Sequence, residues 1–107
     1  MKFQVKYFTF VRDATKEKEA VFEFEGRDQI TLKDLVIRMF DKYGMGLADV
    51  FFRKVMKEKV ELFLKNKLEL DITEIKFTIN GRLYAYKKDL VIKDGDSLAI
   101  FPPFAGG

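Results

Sequence analysis

The chain opens on strict alternation. Across KFQVKYFTFV, residues 2–11, Phe3, Val5, Tyr7 and Thr9 fall on one side while Lys2, Gln4 and Lys6 fall on the other. That is the period of a half-buried strand. EAVFEFE at 19–25 alternates again, with Ala20, Phe22 and Phe24 on one face, and the polar RDATKEK between the two suits a hairpin connection. Residues 2–25 therefore read as an antiparallel hairpin.

The period changes in QITLKDLVIRMFDKYG. Leu32, Leu35, Val36, Met39, Phe40 and Tyr43 recur at helical spacing, Thr31 is placed to cap the start with Asp34 three residues on, and Gly44 marks the end. Residues 46–72 contain no Gly or Pro after Gly46, and they carry Asp49/Arg53, Lys54/Glu58 and Glu61/Lys65 four apart. That spacing favours a second helix around 46–66, with Phe51, Phe52, Val55, Met56, Leu62 and Phe63 as its apolar face. VELFL alone is equally compatible with a short strand.

Ile75, Phe77 and Ile79 then alternate up to Asn80-Gly81, and Leu83 and Tyr84 resume beyond it. Asn-Gly between alternating runs is a strong hairpin signal, because both residues tolerate positive φ. Asp94-Gly95 makes another turn, and 97–101 forms a last strand with Leu98 and Ile100 on one face. The order is α+β, a mixed sheet packed on one main helix in a single domain spanning 1–107.

Composition narrows the chemistry. Among 107 residues there is no Cys and no His, which excludes disulfides, thiol nucleophiles and imidazole bases and leaves no expectation of a metal site. The 20 basic and 17 acidic residues are interleaved, so no nucleic-acid partner is expected from the net charge of +3. No apolar run approaches the ~18 residues of a membrane span. The start MKFQVKYF enters the alternation directly, without a signal peptide, and a soluble cytoplasmic protein is expected. Asp94 and Asp96 read as turn residues, Tyr84 and Tyr86 as sheet residues, and Lys87 and Lys88 as a solvated turn. No internal set of residues supports a stand-alone enzyme.

What remains is the end of the chain, FPPFAGG at 101–107. Pro102 and Pro103 cannot continue a ladder, so an extended tail over 102–107 is expected to leave the sheet. Phe104 and Ala105 lead to Gly106 and Gly107, two residues without a Cβ that fit a narrow channel in another protein. The reactive group such a tail delivers is the Gly107 carboxylate. It becomes an acyl donor only once activated, as by attack on the α-phosphate of ATP. Sulfur arriving there has to come from another molecule, since this chain has no Cys.

YFTFVRD at 7–13, INGRL at 79–83 and KDGDSLAIFPPFAGG at 93–107, in that order, resemble the ubiquitin-like sulfur carriers of the MoaD/ThiS type, most of all the small subunit of molybdopterin synthase. The resemblance covers 1–43 and 75–107 and implies a β-grasp fold. It also implies partners: an E1-like, MoeB-type enzyme that uses ATP to adenylate Gly107, a persulfide donor protein that converts it to a thiocarboxylate, and a MoaE-type large subunit that accepts the tail. In that subunit sulfur would pass to a pterin precursor. No cofactor bound to the carrier itself is implied. Phe8, Leu83 and Phe101 match the family's docking positions on the open face of the sheet, and Arg12 matches a basic position facing acidic partner groups. Pro102, Pro103 and Phe104 belong to the segment the partner receives.

Two departures stand out. Residues 44–72 are longer and more helical than in most members, and Thr9 replaces a small apolar residue. A protein modifier joined through Gly107 to lysines, a sulfur donor for tRNA thiolation or thiazole synthesis, and a binding module with an incidental terminus are the competing expectations.

Overall fold

The computed structural model describes residues 1–102. Strand β1, Lys2–Tyr7, buries Phe3, Val5 and Tyr7, as the alternation requires. The strand expected through residue 11 stops four residues early. Thr9 takes φ 49°, and the chain turns into helix α1, Thr9–Thr15. The hairpin connection is thus helical, because Val11 and Thr15, four apart, both reach the core. β-formers at 9–11 hid that helix: Thr, Phe and Val read as strand by propensity, and burial overrides it. Lys16 closes α1 in the left-handed region, its N–H donating to the Arg12 carbonyl at 2.7 Å.

Strand β2, Glu19–Glu23, pairs antiparallel with β1. A short strand β3, Gln29–Thr31, leads into helix α2, Leu32–Tyr43. Its start is fixed by a full capping box: Asp34 N–H donates to Thr31 Oγ1 at 3.2 Å, and Thr31 N–H donates to Asp34 Oδ2 at 3.0 Å. Leu32, Leu35, Val36, Met39 and Phe40 bury the inner stripe, each contributing roughly 1.5–3 kcal/mol relative to exposure.

The helix expected around 46–66 is broken. A 3₁₀ turn, Met45–Leu47, runs into helix α3, Ala48–Phe51, and helix α4, Lys57–Leu64, follows a gap in which Phe52 adopts φ −132°, ψ 50°. The cause is the aromatic load. On one continuous helix Phe51, Phe52, Val60 and Phe63 would span an arc of about 180°, wider than one face can bury. The break folds both neighbouring rings against Phe40, at centroid distances of 5.8 and 6.1 Å, and sets Phe52 5.1 Å from Phe63. Met56 and Leu62, expected on the apolar face, are exposed. Among the described residues none of the three i, i+4 charge pairs closes; Arg53 reaches Glu74 instead, at 3.9 Å.

Strands β4, Lys76–Ile79, and β5, Arg82–Tyr84, form the expected hairpin, with Asn80 and Gly81 at φ 52° and 82°. Tyr86, expected in the sheet, lies just past β5, buried in the core. Strand β6, Val91–Lys93, pairs antiparallel with β3 in a separate two-stranded sheet, and strand β7, Ser97–Phe101, ends the described chain's regular structure. The main sheet has the order β2-β1-β7-β4-β5, with β1 and β7 parallel and the other pairs antiparallel. A mixed sheet clasping α2 on one face is the β-grasp arrangement.

Candidate functional site

The sheet's open face is set by register. Because Phe3, Val5, Tyr7, Leu98 and Ile100 point inward, Lys6, Ala99 and Phe101 point outward. Directly opposed residues share a face, so Lys6, Ala99, Thr78 and Leu83 form one row across four strands, and Phe101 stands opposite Lys76 in the next. Phe8 continues the outward phase of β1 in extended backbone.

The Phe8 N–H donates to the Ile100 carbonyl at 3.1 Å, which fixes it beside β7, next to Phe101. Phe8 and Leu83 are 39% and 62% exposed, while Phe101 and Pro102 are half-buried. Leu83 lies two strands from Phe101, about 10 Å across the sheet. The apolar face is therefore a pair, Phe8 with Phe101, and an outlier, Leu83, with Thr78 and Lys76 between them.

Arg12 is exposed on α1. Its guanidinium carbon is 5.8 Å from the Phe8 ring centroid, and its Nε donates to the Tyr7 carbonyl at 3.2 Å. Those contacts hold a cation against an exposed ring. Pro103, Phe104, Gly106 and Gly107 lie outside the described residues.

The inner side of the same corner is rigid. The buried Tyr7 hydroxyl is 2.9 Å from that of Tyr43, which donates to Glu17 at 2.5 Å. Burial pushes the Tyr7 phenol up to about 12, and burial together with the hydrogen bond to Glu17 raises that of Tyr43 far above the ordinary range. Both phenols thus stay protonated at neutral pH and serve as fixed hydrogen-bond links.

The turn carboxylates are accounted for. Asp94 accepts from the Lys2 N–H at 2.7 Å, and Asp96 accepts from the Lys93 N–H at 2.8 Å and from Asn80 Nδ2 at 3.0 Å. Among the described residues no cluster of three Asp or Glu could hold a metal ion, and no helix is long and apolar enough to cross a membrane. Sequence reasoning passed over two sets of residues at this face. Lys6 and Lys76 border it, which only the register could reveal, and Phe10, 41% exposed, stands on α1. The signal for Phe10 was its even spacing from Phe8.

The sequence profile of the ThiS family matches residues 5–107. No curated protein matches the chain. Among solved structures, the chain is similar to small archaeal modifier protein 1 (SAMP1) of Haloferax volcanii, at 21% identity and TM-score 0.65, with all of both chains covered. It is similar to a putative molybdopterin converting factor, subunit 1, of Pyrococcus furiosus, at 24% identity and TM-score 0.59, covering 96% of this chain and 98% of that one. A chain in the complex of subunits 1 and 2 of the molybdopterin-converting factor of Helicobacter pylori aligns at 21% identity and TM-score 0.53, with both chains fully covered. These likenesses establish the shared ubiquitin-like β-grasp fold.

Proposed function

This chain belongs to the ThiS family, and from that premise we propose that it carries sulfur on Gly107 as the small subunit of a molybdopterin synthase. One observation supports this reading above the others: the exposed Phe8 is tied by its backbone to the strand that leads into the Gly-Gly tail. A partner seated on Phe8, Phe101 and Leu83 receives the tail in its own reaction centre.

The chemistry belongs to the terminus and its partners in the cytoplasm. The Gly107 carboxylate oxygen attacks the α-phosphate of ATP in a MoeB-type enzyme, expelling pyrophosphate and leaving an acyl-adenylate. The outer sulfur of a donor protein's persulfide attacks the acyl carbon, and AMP leaves. A thiol then reduces the resulting acyl disulfide, releasing the thiocarboxylate. A MoaE-type subunit accepts the charged tail, and its sulfur passes to the pterin precursor. This chain's part is to present the terminus: Phe8, Phe101 and Leu83 supply apolar contact, Arg12 pairs with an acidic group, Pro102, Pro103 and Phe104 fill the entrance, and Gly106 leaves room at the reacting carbon.

Intact mass spectrometry of the protein from its native cell, with fragmentation of the C-terminal peptide, tests the reading. A terminal thiocarboxylate, recognised by one oxygen replaced by sulfur and accumulating unreacted in cells that cannot make the pterin precursor, supports it. Gly107 in amide linkage to lysines of other proteins replaces it with the modifier reading, the role named for the Haloferax protein.

A further inference from the structure

Asn80 opens the two-residue loop between β4 and β5 and takes the left-handed φ of 52° that this turn requires. Its side chain does more than tolerate the turn. The Asn80 N–H donates to the Ser97 carbonyl at 2.7 Å, and the Ser97 N–H donates back to Asn80 Oδ1 at 2.9 Å. Asn80 Nδ2 donates to Asp96 Oδ1 at 3.0 Å, while Asp96 Oδ2 accepts from the Lys93 N–H at 2.8 Å. Both ends of the carboxamide are engaged, and they latch the tip of the β4–β5 hairpin to the start of β7.

The same amide is chemically vulnerable. Gly81 follows it, both residues are exposed, and open space surrounds the position that a Cβ on Gly81 would occupy. The Gly81 N–H takes no part in the latch. With no side chain at residue 81 to obstruct the approach, its nitrogen reaches Asn80 Cγ once the carboxamide swings free. The chain's other asparagine supplies an internal comparison. Asn66 is also exposed, at φ 59°, but Lys67 follows it and crowds the same approach.

We propose that Asn80 is a site of spontaneous deamidation, held in check by its bonds to Asp96 and Ser97. When the latch opens, the Gly81 nitrogen gives its proton to solvent hydroxide and bonds to Asn80 Cγ. The Cγ–Nδ2 bond breaks, and ammonia leaves with a proton from water, closing a cyclic imide. Water then opens that ring at either carbonyl, leaving aspartate or a β-linked isoaspartate. The net change is amide plus water to acid plus ammonia. Neither product restores the latch. Aspartate has no donor for Asp96 and sets a second carboxylate against it. Isoaspartate adds a backbone carbon to a loop whose length fixes the pairing of Ile79 with Arg82. The change is one-way, and it loosens the turn beneath the strand that carries Leu83. It stands apart from the sulfur-carrier reading, because it needs only this chain and water.

The test is peptide mapping by mass spectrometry of the full chain, aged in mildly alkaline buffer with and without denaturing guanidinium. Asn80 is expected to deamidate at least about fivefold faster in guanidinium than in the folded chain. Asp96→Asn keeps an oxygen for the Lys93 N–H but withdraws the acceptor from Asn80 Nδ2. It is expected to speed the folded-state reaction about threefold or more, with Asn66 unaffected. Asn80→Asp supplies the product directly and serves where Asp96→Asn does not fold. Its amide hydrogen exchange is expected to quicken across β5 and at Ser97 by more than it does in β1 and β2. Equal Asn80 rates in the folded and unfolded wild-type chain overturn the inference. So does an Asp96→Asn rate no faster than wild type, or unchanged exchange in Asn80→Asp.

Discussion

The Tyr43 hydroxyl donates to Glu17 at 2.5 Å while lying 2.9 Å from the Tyr7 hydroxyl, so one hydrogen-bonded chain joins α2, the α1–β2 connection and β1. Tyr7 is the donor to Tyr43, and it is fully buried. Tyr43→Phe strands that donor away from water, which costs about 1–3 kcal/mol. Urea unfolding of the variant should show a loss in that range with an unchanged m-value.

The same chain sets the alkaline limit. Burial raises the Tyr7 phenol from its ordinary value of 10.0 to about 12. The folded state therefore favours the protonated form, and the associated stability is complete below pH 10 and lost as pH rises through about 12. Unfolding midpoints measured across that window should fall, and Tyr7→Phe should flatten the decline.

At the acid end the controlling pair is Lys33 and Glu69. The Lys33 side chain is only 8% exposed, its Nζ lies 2.6 Å from Glu69 Oε1, and it sits 4.5 Å from the Phe63 ring centroid. The hydrogen bond from Lys33 holds the Glu69 carboxyl below its ordinary 4.5. The stability this provides is present above pH 4.5 and is lost as pH falls through the lowered value. Glu69→Gln should remove that part of the acid dependence and lower the unfolding midpoint at neutral pH. Lys33→Met, which removes the buried charge itself, should be far less harmful at neutral pH.

Thr9→Gly tests the strain at the β1–α1 junction. Glycine adopts φ near 49° without a Cβ penalty, but it also enlarges the unfolded ensemble. The gain should exceed the entropic loss, raising stability by up to about 1 kcal/mol in urea unfolding.

The elements that sequence alone revealed share a property: one local rule sufficed for each. Alternation and capping set β1 and α2, and Asn80-Gly81 announced its hairpin. Helix α1 escaped because Thr9, Phe10 and Val11 favour a strand, and only the packing of Val11 and Thr15 decides against it. The broken insertion escaped because neighbouring Phe51 and Phe52 both had to reach Phe40, a three-body requirement that no spacing rule contains. Strands β3 and β6 have three residues each and pair across some sixty positions of sequence, too short for periodicity to register. At the candidate site, the outward phase of Phe8 and Phe101 followed from parity. The distance of Leu83 from them and the flanking lysines needed strand order and register.

The parallel pairing of β1 with β7 has a temporal meaning. Beside β2, the first strand pairs with β7, so the centre of the sheet stays open until residues 97–101 have left the ribosome. A chain stopped before residue 97 lacks that closing strand, and contacts so distant in sequence make completion of the sheet, though not of its β1–β2 and β4–β5 hairpins, a late step.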